Sequence, residues 1–273
     1  MPLRVHKPAF PLSQYVEMIW RATRSGAPPS RQRVYPDGAM ALVIHLNKPT
    51  ATYYVDGETH HIRVPLLAGA YSRSFHFDPS QSTAVLGIVF RPGAARMFFP
   101  VAAHELHNAD IALSELYPGE SDRLLNETCA ATDETAQILA AERYLNEKLA
   151  SAAPIHPAVR YAVKQLSRQG AVRAVRDVQL DTGFSHTRFI QLFREHVGLT
   201  PKLFCRVRRF HASIGCIEKG MPVNWAELAA DCGYFDQAHL IHDFRAFAGM
   251  TPVEFSRTMA DSDSRVLKAV NAS

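Results

Sequence analysis

A short internal repeat in the last third of the chain limits its fold more than any other feature. Residues 183–204 contain a pattern that returns at residues 240–255, displaced by 51 positions. The repeated residues are Phe193, Arg194, Gly198, Thr200, Pro201 and Phe204, which correspond to Phe244, Arg245, Gly249, Thr251, Pro252 and Phe255. Six identities at one constant offset indicate a single structural unit that is used twice.

Helix signals surround both copies of the repeat. Ser185 and Asp236 are favourable N-cap residues, and each precedes a predicted helix, which ends near His196 or Phe247. Between the copies, Pro201 starts a long predicted helix that reaches residue 216 or 217. The pattern therefore predicts two helix-turn-helix units joined by one long helix. In such a unit the second helix enters the major groove of DNA.

Over residues 155–258 the chain resembles the AraC/XylS family of bacterial transcription regulators. The resemblance is carried by the repeated residues and by the run Gly233-Tyr-Phe-Asp-Gln237 in the second unit. It implies two recognition helices that contact successive major-groove segments of double-stranded promoter DNA. It also implies that activation, with RNA polymerase as a partner, is the commoner mode of action, although the residues themselves do not fix the sign of regulation.

The first 100 residues predict short β-strands instead of helices. The candidate strands lie at 15–20, 39–46, 52–55, 58–64, 66–77 and 84–90. Strands 52–55 and 58–64 form a predicted hairpin around Asp56-Gly57, a dipeptide that suits tight turns. Many short strands with frequent turns are typical of a barrel or a sandwich. Residues 104–127 predict short helices and loops, with Pro118 and Gly119 as breaks.

The predicted fold class is therefore α+β, with two domains. Residues 1–150 form a β-rich sensor or association domain, a cupin-like barrel or a sandwich, which ends in an amphipathic helix at 134–150. Residues 155–258 form an all-α domain with the two helix-turn-helix units. The turns at 35–38 and 90–93 also resemble the N-terminal domain of one poorly characterised branch of the same family, which implies no particular ligand.

The exposed face of each second helix supplies the candidates for contact with bases. Arginine pairs with guanine, glutamine pairs with adenine, and threonine can contact the thymine methyl group. The alternative for each residue is an ordinary solvated helix face. The candidates are His186, Thr187, Arg188 and Gln191 in the first unit and Gln237, Ala238, His239 and His242 in the second.

Charge distinguishes the two units. Residues 171–210 hold eight Lys/Arg and three Asp/Glu, whereas residues 211–259 hold three and six. Glu227, Asp236 and Asp243 surround the second recognition helix, and carboxylates near phosphates weaken binding. We therefore expect the first unit to be the main anchor on DNA. The candidates for phosphate contact are Ser185, Lys202, Arg206, Arg208 and Arg209, and the alternative for the basic ones is a role in solubility.

Aromatic residues in the N-terminal domain are candidates for an effector pocket, although core packing is the alternative for each. They are Trp20, Tyr53, Tyr54, Tyr71 and Phe75. The helix at 134–150 has Ile138, Leu139, Leu145 and Leu149 roughly on one face. This face is a candidate interface for a homodimer, and it can equally pack on the β-rich domain or on the DNA-binding domain.

Several function classes lack their motifs. The chain contains no nucleophile elbow, P-loop or dinucleotide fingerprint, so we expect no cofactor and no catalytic residues. No apolar run is long enough for a membrane span, and we expect a cytoplasmic protein. His60 and His61 are adjacent in a predicted strand and face opposite sides, although His45 or His76 could join one of them at a metal. A metal-dependent barrel enzyme fused to a DNA-binding domain and a ligand-free interaction module are the alternatives.

Overall fold

A change from strands to helices divides the chain. The computed structural model describes residues 3–24, 31–55, 57–167, 173–218 and 223–261. The strands in these ranges are β1 (Leu3–His6), β2 (Val16–Thr23), β3 (Gln32–Val34), β4 (Ala41–His45), β5 (Thr50–Val55), β6 (Glu58–Arg63), β7 (Leu66–Ala68), β8 (Phe75–Phe77), β9 (Ala84–Phe90) and β10 (Asp110–Ala112). The helices are α1 (Ala95–Phe98), α2 (Leu113–Leu116), α3 (Pro118–Cys129), α4 (Glu134–Ala150), α5 (Pro157–Leu166), α6 (Val175–Asp181), α7 (His186–Val197), α8 (Pro201–Ile217), α9 (Trp225–Asp231), α10 (Gln237–Ala248) and α11 (Pro252–Asp261). The predicted order of a β-rich part followed by an all-α part is confirmed.

The described strands form two antiparallel sheets. The larger has the order β1-β2-β9-β4-β7-β10, and the smaller has the order β3-β8-β5-β6. At the centre of the larger sheet, Leu42 on β4 and Leu86 and Ile88 on β9 are fully buried. Both sheets are open, so the N-terminal domain is not the closed, cupin-like barrel that the strand pattern also allowed.

The predicted hairpin is formed by β5 and β6. Tyr53 pairs with His60 across it, and Gly57 in the turn has a φ of 85°, which glycine adopts without strain. Asp56, the other predicted turn residue, lies outside the described residues. Successive residues of a strand point to opposite faces, so Tyr53 and Tyr54 cannot both face the interior.

Two helical details refine the prediction. The predicted break at Pro118 corresponds to the boundary between α2 and α3, and Pro118 occupies the first turn of α3, where the missing N–H has no partner to lose. Gly119, the other predicted break, lies inside α3. The predicted apolar face of α4 includes Leu139, yet this residue is 51% exposed. Adjacent helix positions differ by about 100°, so the interior takes Ile138 and Leu145 together with Tyr144 and leaves Leu139 outside.

Helix α4 packs on the N-terminal domain, which is one of its three expected positions. Its Glu134 forms a salt bridge with Arg21 of β2 at 3.3 Å, and its Glu142 lies 2.8 Å from the His6 ring of β1. Association of two copies through this helix stays a prediction. None of the helices within the described ranges combines the length and the apolar character that a membrane span requires.

The two helix-turn-helix units have the same caps. The side chains of Ser185 and Asp236 accept hydrogen bonds from the backbone N–H groups of the third helical residues, over 3.4 and 2.8 Å. Gly198 and Gly249 end α7 and α10 in left-handed conformations, with φ of 88° and 71°. Helix α8 joins the units over 17 residues. The repeat in the sequence therefore corresponds to a repeat in the structure.

The N-terminal domain contacts the carboxyl-terminal ends of both recognition helices. At the last turn of α10, the backbone N–H of Ser74 donates to the carbonyl of Phe247 over 2.9 Å, and Arg33 donates to the carbonyl of Ala248 over 2.9 Å. On α7, Arg96 pairs with Glu195 over 2.6 Å. We call this set of contacts the domain interface. It leaves the opposite, amino-terminal ends of α7 and α10 uncovered.

Substitution of Gly198 by alanine tests the packing at the domain interface. The same substitution at Gly249 is a matched control. A Cβ on Gly198 would lie 3.1 Å from the carbonyl oxygen of Ala103 and 3.1 Å from the Cβ of Ala70, whereas a Cβ on Gly249 meets nothing within 4 Å. Both changes to alanine impose left-handed strain of about 1–2 kcal/mol. Gly198→Ala should lower the free energy of unfolding by about 1 kcal/mol more, because of overpacking.

Urea unfolding of the full chain measures both variants. Equal losses of stability in Gly198→Ala and Gly249→Ala would show that the first glycine has no special packing role at the domain interface.

Candidate nucleic-acid interface and cavity

The amino-terminal half of α7 presents the four candidates of the first unit to solvent. His186, Thr187, Arg188 and Gln191 are all exposed. The guanidinium of Arg188 lies 3.4 Å from Oε1 of Gln191, so the two side chains lie side by side on one face. The opposite face is apolar and buried, with Phe189, Leu192 and Phe193. This division gives the helix one surface that is free to contact a partner.

The corresponding face of α10 is less uniform. Gln237, Ala238 and His242 are exposed. The ring of His239 packs edge-on against Tyr234, with 5.1 Å between ring centroids, and is partly covered. Three of the four candidates in the second unit are therefore freely presented, and His239 is held by its own unit.

The connecting helix uses its arginines inside the protein, in contrast to the expectation of phosphate contact. Arg206 donates to Asp243 Oδ1 over 2.7 and 3.0 Å. Arg208 donates to the carbonyl of Asp37 in the N-terminal domain over 3.1 Å. Arg209 donates to the carbonyl of Gly233 over 3.4 Å, and its guanidinium lies over the ring of Tyr234. Of the five phosphate candidates, Ser185 and Lys202 remain exposed.

Asp243 changes the charge comparison of the two units. Sequence reasoning counted it among carboxylates around the second recognition helix, but its side chain is fully buried and pairs with Arg206. Asp243 corresponds in the repeat to Leu192, a core position of the first unit. The sequence could have indicated this buried ion pair, because the repeat places an acidic residue at a position that is apolar and buried in the other unit. Glu227 and Asp236 remain exposed, so the second unit is still the more acidic one at its surface.

A cavity of about 200 Å³ lies between the two sheets of the N-terminal domain. Four of the five aromatic effector-pocket candidates, namely Trp20, Tyr53, Tyr71 and Phe75, line it. The rings of Tyr71 and Phe75 are 4.4 Å apart, centroid to centroid. Tyr54 is outside the cavity, where the guanidinium of Arg31 lies 3.6 Å from its ring centroid.

Gly87 makes the position of Trp20 possible. The two residues pair across β2 and β9. A Cβ on Gly87 would lie 2.2 Å from the indole of Trp20, a separation that no real side chain tolerates. The glycine therefore lets the indole lie flat across the neighbouring strand and form part of the cavity wall.

One end of the cavity is polar. Asp110, the first residue of β10, is hydrogen-bonded to Tyr71, and its Oδ1 is buried without a hydrogen-bond partner among the described residues. The hydroxyl of Tyr53 is buried and unpartnered in the same sense. Burial raises the pKa of Asp110 to about 7. Burial, followed by the nearby Asp110 charge, raises the pKa values of Tyr53 and Tyr71 as well. Sequence reasoning missed Asp110, since an isolated aspartate after a loop carries no recognisable signal.

The histidines considered as metal ligands have other contacts. His45 lies 3.2 Å from the carbonyl of Thr50, His61 lies 3.1 Å from the Thr52 hydroxyl, and His76 accepts from Arg33 over 3.0 Å. Within the ranges that the structure describes, no three His, Cys, Asp or Glu side chains come together as a metal-binding group.

Two protein-family models match the chain. Residues 4–112 match a family described as a domain of unknown function, DUF6597, and residues 180–258 match a family described as a helix-turn-helix domain. No curated protein is similar enough in sequence to match the chain. The second match covers both recognition helices and the whole connecting helix.

Solved structures with a related arrangement have low sequence identity. ToxT from Vibrio cholerae O395 has a TM-score of 0.43 and 10% identity over 89% of this chain and 97% of that chain. Unsaturated fatty acid bound wild-type ToxT from Vibrio cholerae strain SCE256 has a TM-score of 0.44 and 12% identity over 89% and 95%. The AraC-like transcriptional activator CuxR has a TM-score of 0.26 and 11% identity over 77% and 85%.

Asp110 makes stability depend on pH. Its pKa is about 7 in the folded protein, above the ordinary value of 3.8. The native state therefore binds the proton more tightly than the unfolded state, and stability falls as pH rises between these values. Asp110→Asn removes this pH dependence, because the asparagine amide does not titrate. The free energy of unfolding of the variant, relative to the unchanged protein, should rise by about 1–3 kcal/mol between pH 5 and pH 8.

Urea unfolding at the two pH values gives this difference. Asp122→Asn is the control, because Asp122 is an exposed carboxylate on α3. A relative stability of Asp110→Asn that stays constant with pH would contradict the burial of a titrating carboxyl at this wall.

Proposed function

We propose that the chain is a transcription regulator of the AraC/XylS type, and that its two recognition helices contact successive major-groove segments of promoter DNA under the control of a ligand in the N-terminal cavity. The observation that carries this proposal is the pair of equivalent exposed faces on α7 and α10, with their opposite ends held by the domain interface. Promoter DNA places the action of the protein in the bacterial cytoplasm. Contact with RNA polymerase remains a prediction of the family resemblance, and formation of a homodimer remains a prediction from the helix at 134–150.

The spacing of the two helices supports simultaneous contact. Helix α8 has 17 residues, which corresponds to roughly 26 Å at about 1.5 Å per residue. Successive major-groove segments on one side of DNA are about 34 Å apart. Helices α7 and α10 both pack on α8, where Phe193 meets Phe204 and Phe244 meets Phe210. Helix α8 therefore holds the two recognition helices in a fixed relation, and we propose that their spacing matches one turn of the duplex.

The first unit is proposed as the stronger DNA contact. Arg188 and Gln191 are freely presented there and suit guanine and adenine. In the second unit, His239 is partly occupied by Tyr234, and Glu227 and Asp236 keep the surface acidic. The buried pair of Asp243 with Arg206 reduces this difference in charge, because Asp243 no longer counts at the surface.

The response to a ligand is proposed to pass through chain segments that belong to both the cavity and the domain interface. Tyr71 and Phe75 line the cavity on either side of Ser74, which donates to the end of α10. Asp37 also lines the cavity, and its carbonyl accepts from Arg208 of α8. Tyr35 lines the cavity and packs edge-on against Phe255 at 5.0 Å. A ligand that moves these segments changes the support of the recognition helices.

Selection of genomic DNA fragments on the purified full chain, followed by sequencing, is the direct test of DNA recognition. We expect one enriched sequence motif with two half-sites about one helical turn apart. Retention of DNA only at non-specific levels at ~150 mM salt would contradict the proposal.

Alanine variants then compare the two units on the selected site. Arg188→Ala should weaken binding by about 10–100-fold, because a bidentate contact with a base contributes about 1–3 kcal/mol. Gln237→Ala should weaken binding clearly less, because the acidic surround of the second unit limits its contribution. Equal losses of affinity in an electrophoretic mobility assay would refute the asymmetry.

Salt dependence separates phosphate contacts from internal ones. Lys202→Gln should reduce the slope of log affinity against log salt by about 1, as expected when one phosphate contact is lost. Arg208→Gln is the matched comparison, because this guanidinium binds the Asp37 carbonyl and should leave the slope unchanged. If Arg208→Gln lowers the slope as much as Lys202→Gln does, its guanidinium must contact DNA instead.

A further inference from the structure

The size of the cavity sets the scale of a ligand that fills it. Its volume is about 200 Å³. An apolar cavity of about 150 Å³ in another protein holds a molecule of benzene. The space therefore accommodates one ring, or two fused rings, with a short side chain.

The walls of the cavity suit an aromatic molecule with a positive charge. Six of the lining residues have large aromatic rings: Trp20, Tyr35, Tyr53, Tyr71, Phe75 and Phe77. Tyr53 and Phe75 meet edge to face at 6.0 Å between ring centroids, so the cluster presents both ring faces and ring edges. Aromatic faces attract cations through their quadrupole, and groups of such rings recognise ammonium ions.

More acidic than basic residues line the cavity. The carboxylates of Asp37, Asp78 and Asp110 line it, against the guanidinium of Arg24. Arg24 donates to the backbone carbonyls of Pro79 and Ser80, and its Nε is buried without a partner among the described atoms. Asp37 and Asp78 accept from backbone N–H groups.

Position separates Arg24 from Asp110. Arg24 directly follows β2, and Asp110 begins β10, four strands away in the larger sheet. Asp110 takes its hydrogen bonds from Tyr71 and the backbone of Gly69, and not from Arg24. The charge of Arg73 acts on Tyr71 from the neighbouring segment.

Two buried acceptors without partners lie at the Asp110 end of the cavity. Asp110 Oδ1 and the Tyr53 hydroxyl are both buried and lack hydrogen-bond partners among the described residues. The Asp110 carboxyl group has hydrogen bonds from Tyr71 and the Gly69 backbone, but a buried oxygen without a partner is costly, and a bound donor relieves the cost. The pKa of Asp110, which burial raises to about 7, allows the group to ionise when a cation arrives.

We propose that the cavity binds a small aromatic amine as its ammonium ion, with the nitrogen against Asp110 and Tyr53 and the ring among the aromatic side chains. The proposal rests on the proposed effector function of this cavity and names the class of ligand. An acid of the same shape would place its carboxylate beside Asp110, where like charges repel. An alcohol would hydrogen-bond but would gain nothing from the carboxylate charge.

Binding to the full chain, measured by calorimetry, tests this assignment with matched probes. The probes are phenethylamine and tryptamine, the alcohols 2-phenylethanol and tryptophol, and the acids phenylacetate and indole-3-acetate. We expect at least one amine to bind at least tenfold more tightly than its alcohol, and the acids not to bind. No binding of either amine at millimolar concentration, or equal or tighter binding of the alcohol or acid, would overturn the proposal.

Variants locate the ammonium group. Asp110→Asn should lower the affinity for the amine at least tenfold and abolish its preference over the alcohol, with the circular dichroism spectrum unchanged. Tyr53→Phe should weaken amine binding severalfold. Tyr54→Phe is the matched control, since Tyr54 lies outside the cavity, and should have no effect. Unchanged amine affinity in Asp110→Asn would overturn the proposal even if the amine binds elsewhere on the protein.

The DNA affinity of the same samples distinguishes this proposal from the proposed function. Amine binding without any change in DNA affinity would support the ligand class and contradict the ligand-controlled regulation. Amine selectivity in a protein that fails to enrich a DNA motif would support the cavity assignment alone. Failure of the amines while the DNA motif is found would overturn only the assignment of ligand class.

Discussion

The seating of the N-terminal domain on the carboxyl-terminal ends of both recognition helices is the constraint on which the rest of the structure depends. The last carbonyl groups of a helix have no partner within the helix. Here Phe247 and Ala248 give theirs to Ser74 and Arg33, while the glycine that ends α7 packs beside Ala103. One domain therefore fixes two helices that are joined through α8, and it leaves their amino-terminal ends free.

The pair of Arg206 and Asp243 gives the second unit a buried ionic contact at a position that is apolar in the first unit. In the first unit the equivalent position is Leu192, which packs without any charge. Breaking a buried ion pair costs about 3–5 kcal/mol, whereas replacing the whole pair by apolar residues is often neutral. The pair therefore contributes more to the relative orientation of α8 and α10 than to the free energy of unfolding. It also removes the charge of Asp243 from the exposed surface of the second unit, which is the surface proposed to contact DNA.

Local signals in the sequence predicted the helical domain well, because its caps are local. Ser185, Asp236 and Gly198 act within a few residues of their own helix, and spacing alone reveals them. The sequence did not reveal the internal partner of Arg208, because this partner, the carbonyl of Asp37, is a backbone group in a different domain. Trp20, Tyr53, Tyr71 and Phe75 were recognised as pocket candidates by their type. Tyr54 was grouped with them because residue type, without strand alternation, does not separate neighbours.

The proposed control of DNA binding by a ligand in the cavity requires only a small coupling energy. A tenfold change in affinity corresponds to about 1.4 kcal/mol of coupling. A single backbone hydrogen bond contributes about 0.5–1.5 kcal/mol net, and the bond from Ser74 to the end of α10 lies between two residues of the cavity wall. A ligand that strengthens or breaks this bond and the one from Arg208 to Asp37 therefore supplies the whole change. No rearrangement of either core is required, because the cavity wall and the domain interface share the same short segments.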